Sequence, residues 1–262
     1  MTLSHDVAGN GPALVLLHSG VCDRRMWDAQ WPALIDAGYQ VVRCDFRGFG
    51  STPAADRPYS DAEDVRELLD TLGIARAALV GASYGGQVAL EIAARRAERV
   101  SAVALLCSAR PGHEPSGELR ALGEREEALI EAGDLTGAVE LMVDTWLGPD
   151  AAETAREAVR RMQRRAYEVQ LAAAGEFEPI EAEPDLGAVR APCLVVSGGH
   201  DLADFREIAA QLPALLTTTT AHHVDLPWAG HLPNLERPSA VTGLLVGFLR
   251  EKVLAQSPGE RR

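Results

Sequence analysis

The pentapeptide Gly81-Ala82-Ser83-Tyr84-Gly85 constrains the fold of this chain more than any other feature of its sequence. The apolar run 77–80 comes directly before it and a helix-patterned run, 85–96, directly after it, so a strand must turn into a helix at the serine. Small residues relieve the steric clash in so tight a turn, which strains the serine backbone and lifts its hydroxyl above the sheet edge. The amino end of the following helix favours negative charge there. The pattern predicts that Ser83 is a nucleophile; a purely structural serine is the alternative.

Short apolar runs alternate with helical patterns along most of the chain. Several of these runs are apolar throughout, as expected when helices cover both faces of a parallel sheet. The alternation predicts an α/β fold with a doubly wound, mostly parallel sheet. The predicted strands cover residues 13–18, 40–45, 77–81, 102–107, 193–198 and 223–226, and the predicted core helices cover 27–37, 61–72, 85–96, 204–212 and 238–253.

One region interrupts the alternation of strands and helices. Between residues 112 and 185 no strand is predicted, and three helical segments cover 118–132, 135–146 and 151–174. We interpret this region as a helical cap inserted into one α/β core, because the sheet pattern resumes at Cys193. The core then consists of residues 1–111 and 186–256, and residues 257–262 form a tail. A separate helical domain on a linker is the alternative.

A serine hydroxyl is a weak nucleophile at neutral pH and needs a general base, for which the chain offers seven histidines. We predict His231, because it lies in a loop between the last strand and the last helix, beyond the carboxyl edge of the sheet. His18 ends the first strong strand, where we expect it to support the neighbouring loop. The other histidines lie in less suitable segments: His5, His113, His200, His222 and His223.

A histidine base also needs an acceptor on its second nitrogen, which fixes the tautomer and stabilises the imidazolium. Asp201 follows the strand 193–198 through a glycine-rich turn and meets this need. Asp204 reads as a helix N-cap and Asp225 lies inside a strand, so both are weaker candidates. Ser83, Asp201 and His231 follow three different strands, and we predict that they meet at one edge of the sheet.

An acyl-transfer site of this kind needs two N–H donors for the oxyanion. The N–H of Tyr84, directly after the nucleophile, is one donor by position. The loop that follows the first strong strand should supply the other, and we predict the N–H of Gly20.

The bulk composition excludes several classes of function. With 38 acidic and 25 basic residues the net charge is −13, which argues against nucleic-acid binding. The amino terminus lacks a signal-peptide pattern, and no apolar stretch is long enough to cross a bilayer. Four widely spaced cysteines make a disulfide framework improbable and favour the cytoplasm. We predict no metal site, since strand alternation points His222 and His223 to opposite faces.

Taken together, these residues resemble the α/β-hydrolase superfamily over nearly the whole chain. The matching motifs are Leu16-Leu17-His18-Ser19-Gly20, the turn 45–52 with sequence DFRGFGST, the serine pentapeptide, Gly199-His200-Asp201 and Ala229-Gly230-His231. The order serine, aspartate, histidine is also the order of that fold. The resemblance is nearest to small esterases and to enzymes similar to 3-oxoadipate enol-lactonase.

The resemblance implies a serine hydrolase of small-molecule esters or lactones, with a helical cap and without a cofactor. Val21 and Trp146 are then expected to contact the substrate, with ordinary core packing as the alternative. The sequence departs from the family in two ways: Tyr84 stands where methionine is frequent, and the usual first strand is missing, which implies seven strands instead of eight. Epoxide hydrolases and haloalkane dehalogenases carry aspartate in place of Ser83.

Several alternatives stay open at this point. The same three residues could cleave a carbon–carbon bond or a thioester, or form a peracid. A ligand receptor built on the same fold is possible in principle, because a fold does not guarantee activity. The sequence leaves the substrate, and the choice between monomer and homodimer, undetermined.

Overall fold

Seven strands form one sheet in the computed structural model of the chain, which describes residues 3–173, 175, 177, 179–180 and 182–253. The strand order is β1-β3-β2-β4-β5-β6-β7, and every neighbouring pair is parallel except β1 with β3. The strands are β1 His5–Ala8, β2 Ala13–Leu17, β3 Gln40–Cys44, β4 Ala77–Ala82, β5 Val100–Leu106, β6 Cys193–Gly198 and β7 Ala221–Leu226. The predicted doubly wound, mostly parallel α/β sheet is confirmed.

The central strands are apolar because helices cover both faces of the sheet. Every residue of β2, β4 and β6 is buried. The helices are α1 Trp31–Asp36, α2 Asp61–Thr71, α3 Tyr84–Arg95, α4 Gly117–Glu131, α5 Leu135–Trp146, α6 Glu153–Leu171, α7 Ala203–Leu215, α8 Pro233–Glu236 and α9 Pro238–Lys252. None of these helices is both long enough and apolar enough to span a bilayer.

Three of the helices, α4 to α6, lie between β5 and β6, in the region that the sequence identifies as an insertion. The first turns of α4 and α5 are capped by side chains: the Ser116 hydroxyl accepts from the Leu119 N–H, and the Asp134 carboxylate accepts from the Gly137 N–H. The insertion also contacts the core, where Arg165 donates to the carbonyl of Gly50. The predicted tail 257–262 lies outside the described residues.

Two local predictions differ from the structure. The segment His5–Ala8 is an antiparallel edge strand, although the sequence analysis assigned no strand before residue 13. It is short and only half-buried, and its pairing with β3 is supported by an ion pair between Asp6 and Arg43, which local sequence patterns do not reveal. The sheet therefore has the expected seven strands, but one of them was not predicted.

The predicted helix 27–37 is divided into a 3-10 turn, Arg24–Trp27, and the helix α1. Asp23 starts the turn early, because its carboxylate accepts from the Arg25 N–H at 2.9 Å. Pro32 is tolerated only in the first turn of a helix, so α1 begins at Trp31.

The topology brings four chain segments to one edge of the sheet. Strands β4, β5, β6 and β7 are consecutive neighbours and run in the same direction. The residues that leave their carboxyl ends include Ser83, Cys107, Asp201 and His231. In open α/β sheets this edge is where ligands bind.

Candidate active site

Ser83 sits in a strained turn between β4 and α3. Its backbone has φ 50° and ψ −118°, and among the described non-glycine residues only Cys107 shares a positive φ. The flanking glycines are required by space: a Cβ on Gly81 would lie 2.3 Å from the carbonyl oxygen of Gly85, and one on Gly85 would lie 2.4 Å from that of Leu17. The turn has the geometry that the sequence predicts for a nucleophile.

Backbone hydrogen bonds hold this turn against the neighbouring strand. The N–H of Ser83 donates to the carbonyl of Leu106, and the carbonyl of Ser83 accepts from the N–H of Ala109. The same carbonyl accepts from Gly86 at the start of α3. Ser83 is 9% exposed, so its position is fixed while the residue keeps contact with solvent.

His231 and Asp201 form a buried pair. The Nδ1 atom of His231 lies 2.7 Å from Oδ2 of Asp201, and each side chain is 1% exposed. The carboxylate can only accept, so Nδ1 carries the proton and Nε2 is left as the basic nitrogen. The main chain of the loop is also fixed, because the N–H of His231 donates to the carbonyl of Trp146. The geometry suits a general base with an orienting acid.

The competing acids are engaged elsewhere. Asp204 binds the ring of His113 at 2.9 Å, at the entrance to the helical insertion. Asp225 accepts from the hydroxyl of Ser197, which also contacts the ring of His223. Neither arrangement includes His231.

His18 has both ring nitrogens occupied. Its Nε2 accepts from the N–H of Phe46 at 3.0 Å, which requires Nδ1 to carry the proton that is donated to the carbonyl of Ser19. Burial lowers the pKa of His18 and favours this neutral form. The ring therefore supports the loop that contains Gly20 and is not available as a base.

The two predicted oxyanion donors lie on adjoining segments. The N–H of Gly85 donates to the carbonyl of His18 at 3.1 Å, which ties the loop after β2 to the start of α3. A Cβ placed on Gly20 would lie 3.8 Å from Cβ of Tyr84. The structure thus places the loop that contains Gly20 next to Tyr84, and the role of both N–H groups as oxyanion donors stays a prediction.

Two aromatic rings pack on the imidazole of His231. The ring centroid of Phe205 lies 4.2 Å and that of Trp146 4.5 Å from the centroid of the histidine. Phe205 is not among the residues predicted from the sequence, and Trp146 is predicted there to contact the substrate. Trp146 is 7% exposed and packs on the histidine, while Val21 is partly buried against the core; their contact with substrate stays a prediction.

Cys107 completes the buried group around the acid. Its Sγ lies 3.7 Å from the carbonyl oxygen of Gly230, and its thiol, the Asp201 carboxylate and the His231 ring lie within 4.8 Å of one another. Burial and the nearby Asp201 carboxylate raise the pKa of this thiol well above its usual value. The three side chains lie close enough together to approach one metal ion, so the absence of a metal site stays a prediction.

A cleft of about 690 Å³ lies away from these residues. It opens between the loop 51–56 and the carboxyl end of α6, and neither Ser83 nor His231 lines it. The candidate site therefore rests on its side-chain geometry and not on this cleft.

Comparisons with known proteins agree with the fold. A model of the alpha/beta hydrolase family matches residues 14–243. A 3-oxoadipate enol-lactonase of Acinetobacter baylyi is 25% identical over 257 residues, which cover 95% of this chain and 93% of the relative.

Two solved structures are also similar to this chain. The enol-lactonase of Burkholderia xenovorans LB400 is 29% identical with a TM-score of 0.77, covering 94% of this chain and 96% of its own. A thermophilic esterase of Thermogutta terrifontis is 26% identical with a TM-score of 0.77, and the match covers 95% of this chain and 93% of the esterase. With the family model matching most of its length, the chain belongs to the alpha/beta hydrolase family.

Proposed function

We propose that the protein is a serine hydrolase that cleaves carboxylic esters or lactones of small molecules with Ser83, His231 and Asp201. The buried 2.7 Å contact between His231 and Asp201, at the sheet edge that also carries the strained Ser83, is the observation that supports it most strongly. The similarity to an enol-lactonase and an esterase supports the choice of bond.

The first half of the proposed reaction transfers the acyl group to the enzyme. His231 Nε2 takes the proton of Ser83 as its oxygen attacks the carbonyl carbon. The oxyanion that forms accepts from the N–H groups of Gly20 and Tyr84, each of which contributes about 3–4 kcal/mol if it acts like other such donors. The carbon–oxygen bond then breaks, and the leaving alkoxide receives the proton from His231.

The second half releases the acid. His231 takes a proton from water, the resulting oxygen nucleophile attacks the acyl carbon, and Ser83 leaves with the proton that the imidazolium returns. Asp201 stays ionised throughout and stabilises the imidazolium. The cycle uses only side chains and backbone donors of this chain, and we propose no cofactor for it.

We also propose that residues 112–185 act as a cap over the substrate. Its helix α5 ends at Trp146, whose ring and carbonyl both contact His231. The cap would thereby connect substrate binding to the position of the base.

Labelling with a fluorophosphonate tests the nucleophile. We expect the wild type to be labelled on the peptide that contains Ser83, because the reagent reacts with serines activated by a base. The variant Ser83→Ala should not be labelled. The control variant Ser197→Ala, which removes another buried serine near the carboxyl end of strand β6, should be labelled like the wild type.

The outcome separates the alternatives. A folded wild type that is not labelled would contradict the proposal and favour the receptor. If labelling occurs, turnover of a panel of p-nitrophenyl esters, lactones, acyl thioesters and diketones identifies the bond that is cleaved.

A further inference from the structure

A buried carboxyl group contacts the residue after the nucleophile. The hydroxyl of Tyr84 donates to Oδ2 of Asp61 at 2.5 Å. Asp61 is the first residue of α2 and is 4% exposed, while Tyr84 is the first residue of α3. The bond therefore joins the amino ends of the two helices beside the site.

The surroundings of Asp61 are unfavourable for a charge. Its second oxygen, Oδ1, is buried and has no hydrogen-bond partner, although buried polar atoms are nearly always paired. The carboxylates of Asp64 and Glu91 face it, and the opposing cation, Arg47, is held in a bidentate ion pair by Asp64. Burial raises the pKa of Asp61 to about 6. A carboxyl group that is buried beside a reaction site at a cost to the stability of the fold is typical of a functional residue.

The ring of Tyr84 belongs to a network that includes both proposed oxyanion donors. The ring lies edge-on to Phe46 at 5.6 Å between centroids, and the N–H of Phe46 donates to His18. His18 in turn donates to the carbonyl of Ser19, the residue directly before Gly20. The network thus runs from the side chain of one donor residue to the backbone of the other.

We propose that Asp61 is a positioning residue that acts through the Tyr84 hydroxyl to set the spacing of the two oxyanion donors. The proposal rests on the proposed function. With its hydroxyl bound to Asp61, the ring of Tyr84 is held against Phe46, whose N–H carries the hydrogen bond to His18. Donors that are fixed before the reaction stabilise the oxyanion without reorganisation.

Kinetics of three variants test this positioning role. Tyr84→Phe and Asp61→Ala both break the bond, and we expect each to lower kcat about tenfold while KM changes less than threefold, a smaller effect than the 10²–10³-fold loss on removing a donor. Asp61→Asn keeps an acceptor for the hydroxyl and should retain most of kcat. Inhibition by a trifluoromethyl ketone, whose adduct carries the oxyanion, should weaken by the same factor as kcat/KM.

A second tyrosine–carboxylate pair in the chain provides a matched control. In the helical insertion, the hydroxyl of Tyr167 donates to Glu126, also at 2.5 Å, and burial raises the pKa of Glu126 as well. Both residues lie in the proposed cap and away from the oxyanion donors, so we expect Tyr167→Phe and Glu126→Ala to change KM more than kcat, unlike the Tyr84 and Asp61 variants.

The outcomes distinguish this inference from the proposed function. If the wild type turns over esters and both Tyr84→Phe and Asp61→Ala keep its kcat, the positioning role is wrong and the proposed function stands. Equal losses in the Tyr167 and Glu126 variants would also overturn it, since the effect would then reflect stability. A wild type without labelling or turnover would instead contradict the proposed function.

Discussion

Replacing Asp201 by asparagine is expected to lower kcat about 10⁴-fold, or about 5.5 kcal/mol, with little change in KM. An amide can present its NH₂ group to Nδ1 of His231, which places the imidazole proton on Nε2 and removes the base. The charge that stabilises the imidazolium is also lost. Because both side chains are 1% exposed, water does not replace that charge. Steady-state hydrolysis of an ester and the rate of fluorophosphonate labelling should fall in parallel.

Two neighbouring aspartates serve as matched controls for this prediction. Asp225→Asn alters an acid on the adjacent strand β7 that binds Ser197. Asp204→Asn alters an acid three residues from Asp201 that binds His113. We expect both variants to retain kcat within a few-fold. A large loss in either of them, with Asp201→Asn close to the wild type, would show that the base is oriented by another acid.

The parts of the site that follow strand ends could be predicted because their signals are local. The glycines that make the tight turn at Ser83 possible lie within two residues of it in the sequence, so the motif itself predicts the turn. Asp201 and His231 follow the buried strand β6 and the edge strand β7, respectively, and parallel strands bring such residues to one edge. The bounds of α5 agree with the predicted 135–146, since Asp134 caps its first turn.

Contacts between distant segments could not be predicted in the same way. Cys107 and Gly230 are 123 residues apart, and no pattern near either of them indicates their contact. The aromatic ring of Trp146 suggested substrate contact, and only the packing of α5 on the loop after β7 shows that this ring lies against His231. The bond between Asp61 and Tyr84 joins two helices whose sequences show only ordinary amphipathic patterns.

Asp61 is expected to make the stability of the protein depend on pH. Its pKa is about 6 in the folded state against an ordinary value of 3.8, so the folded state binds the proton more tightly. A raised carboxyl pKa destabilises the fold above the folded pKa, and the penalty disappears as the pH falls to the unfolded value. As the pH falls from 8 to 5, this group should increase the free energy of unfolding of the wild type by about 1.4 kcal/mol. The increase should reach about 3 kcal/mol once Asp61 is protonated in both the folded and the unfolded state.

Denaturant unfolding of the wild type and of Asp61→Asn at pH 8 and pH 5 measures this contribution. Comparing the two proteins cancels the contributions of the other titrating groups and the constant cost of the buried amide. On acidification the free energy of unfolding should therefore rise by about 1.4 kcal/mol more in the wild type than in Asp61→Asn. The hydrogen bond from Tyr84 favours the charged form of Asp61, so Tyr84→Phe should raise the pKa of Asp61 further and increase this gain in stability. Parallel pH curves for the wild type and Asp61→Asn would contradict this prediction, since they would show that the pKa of Asp61 is not raised in the folded protein.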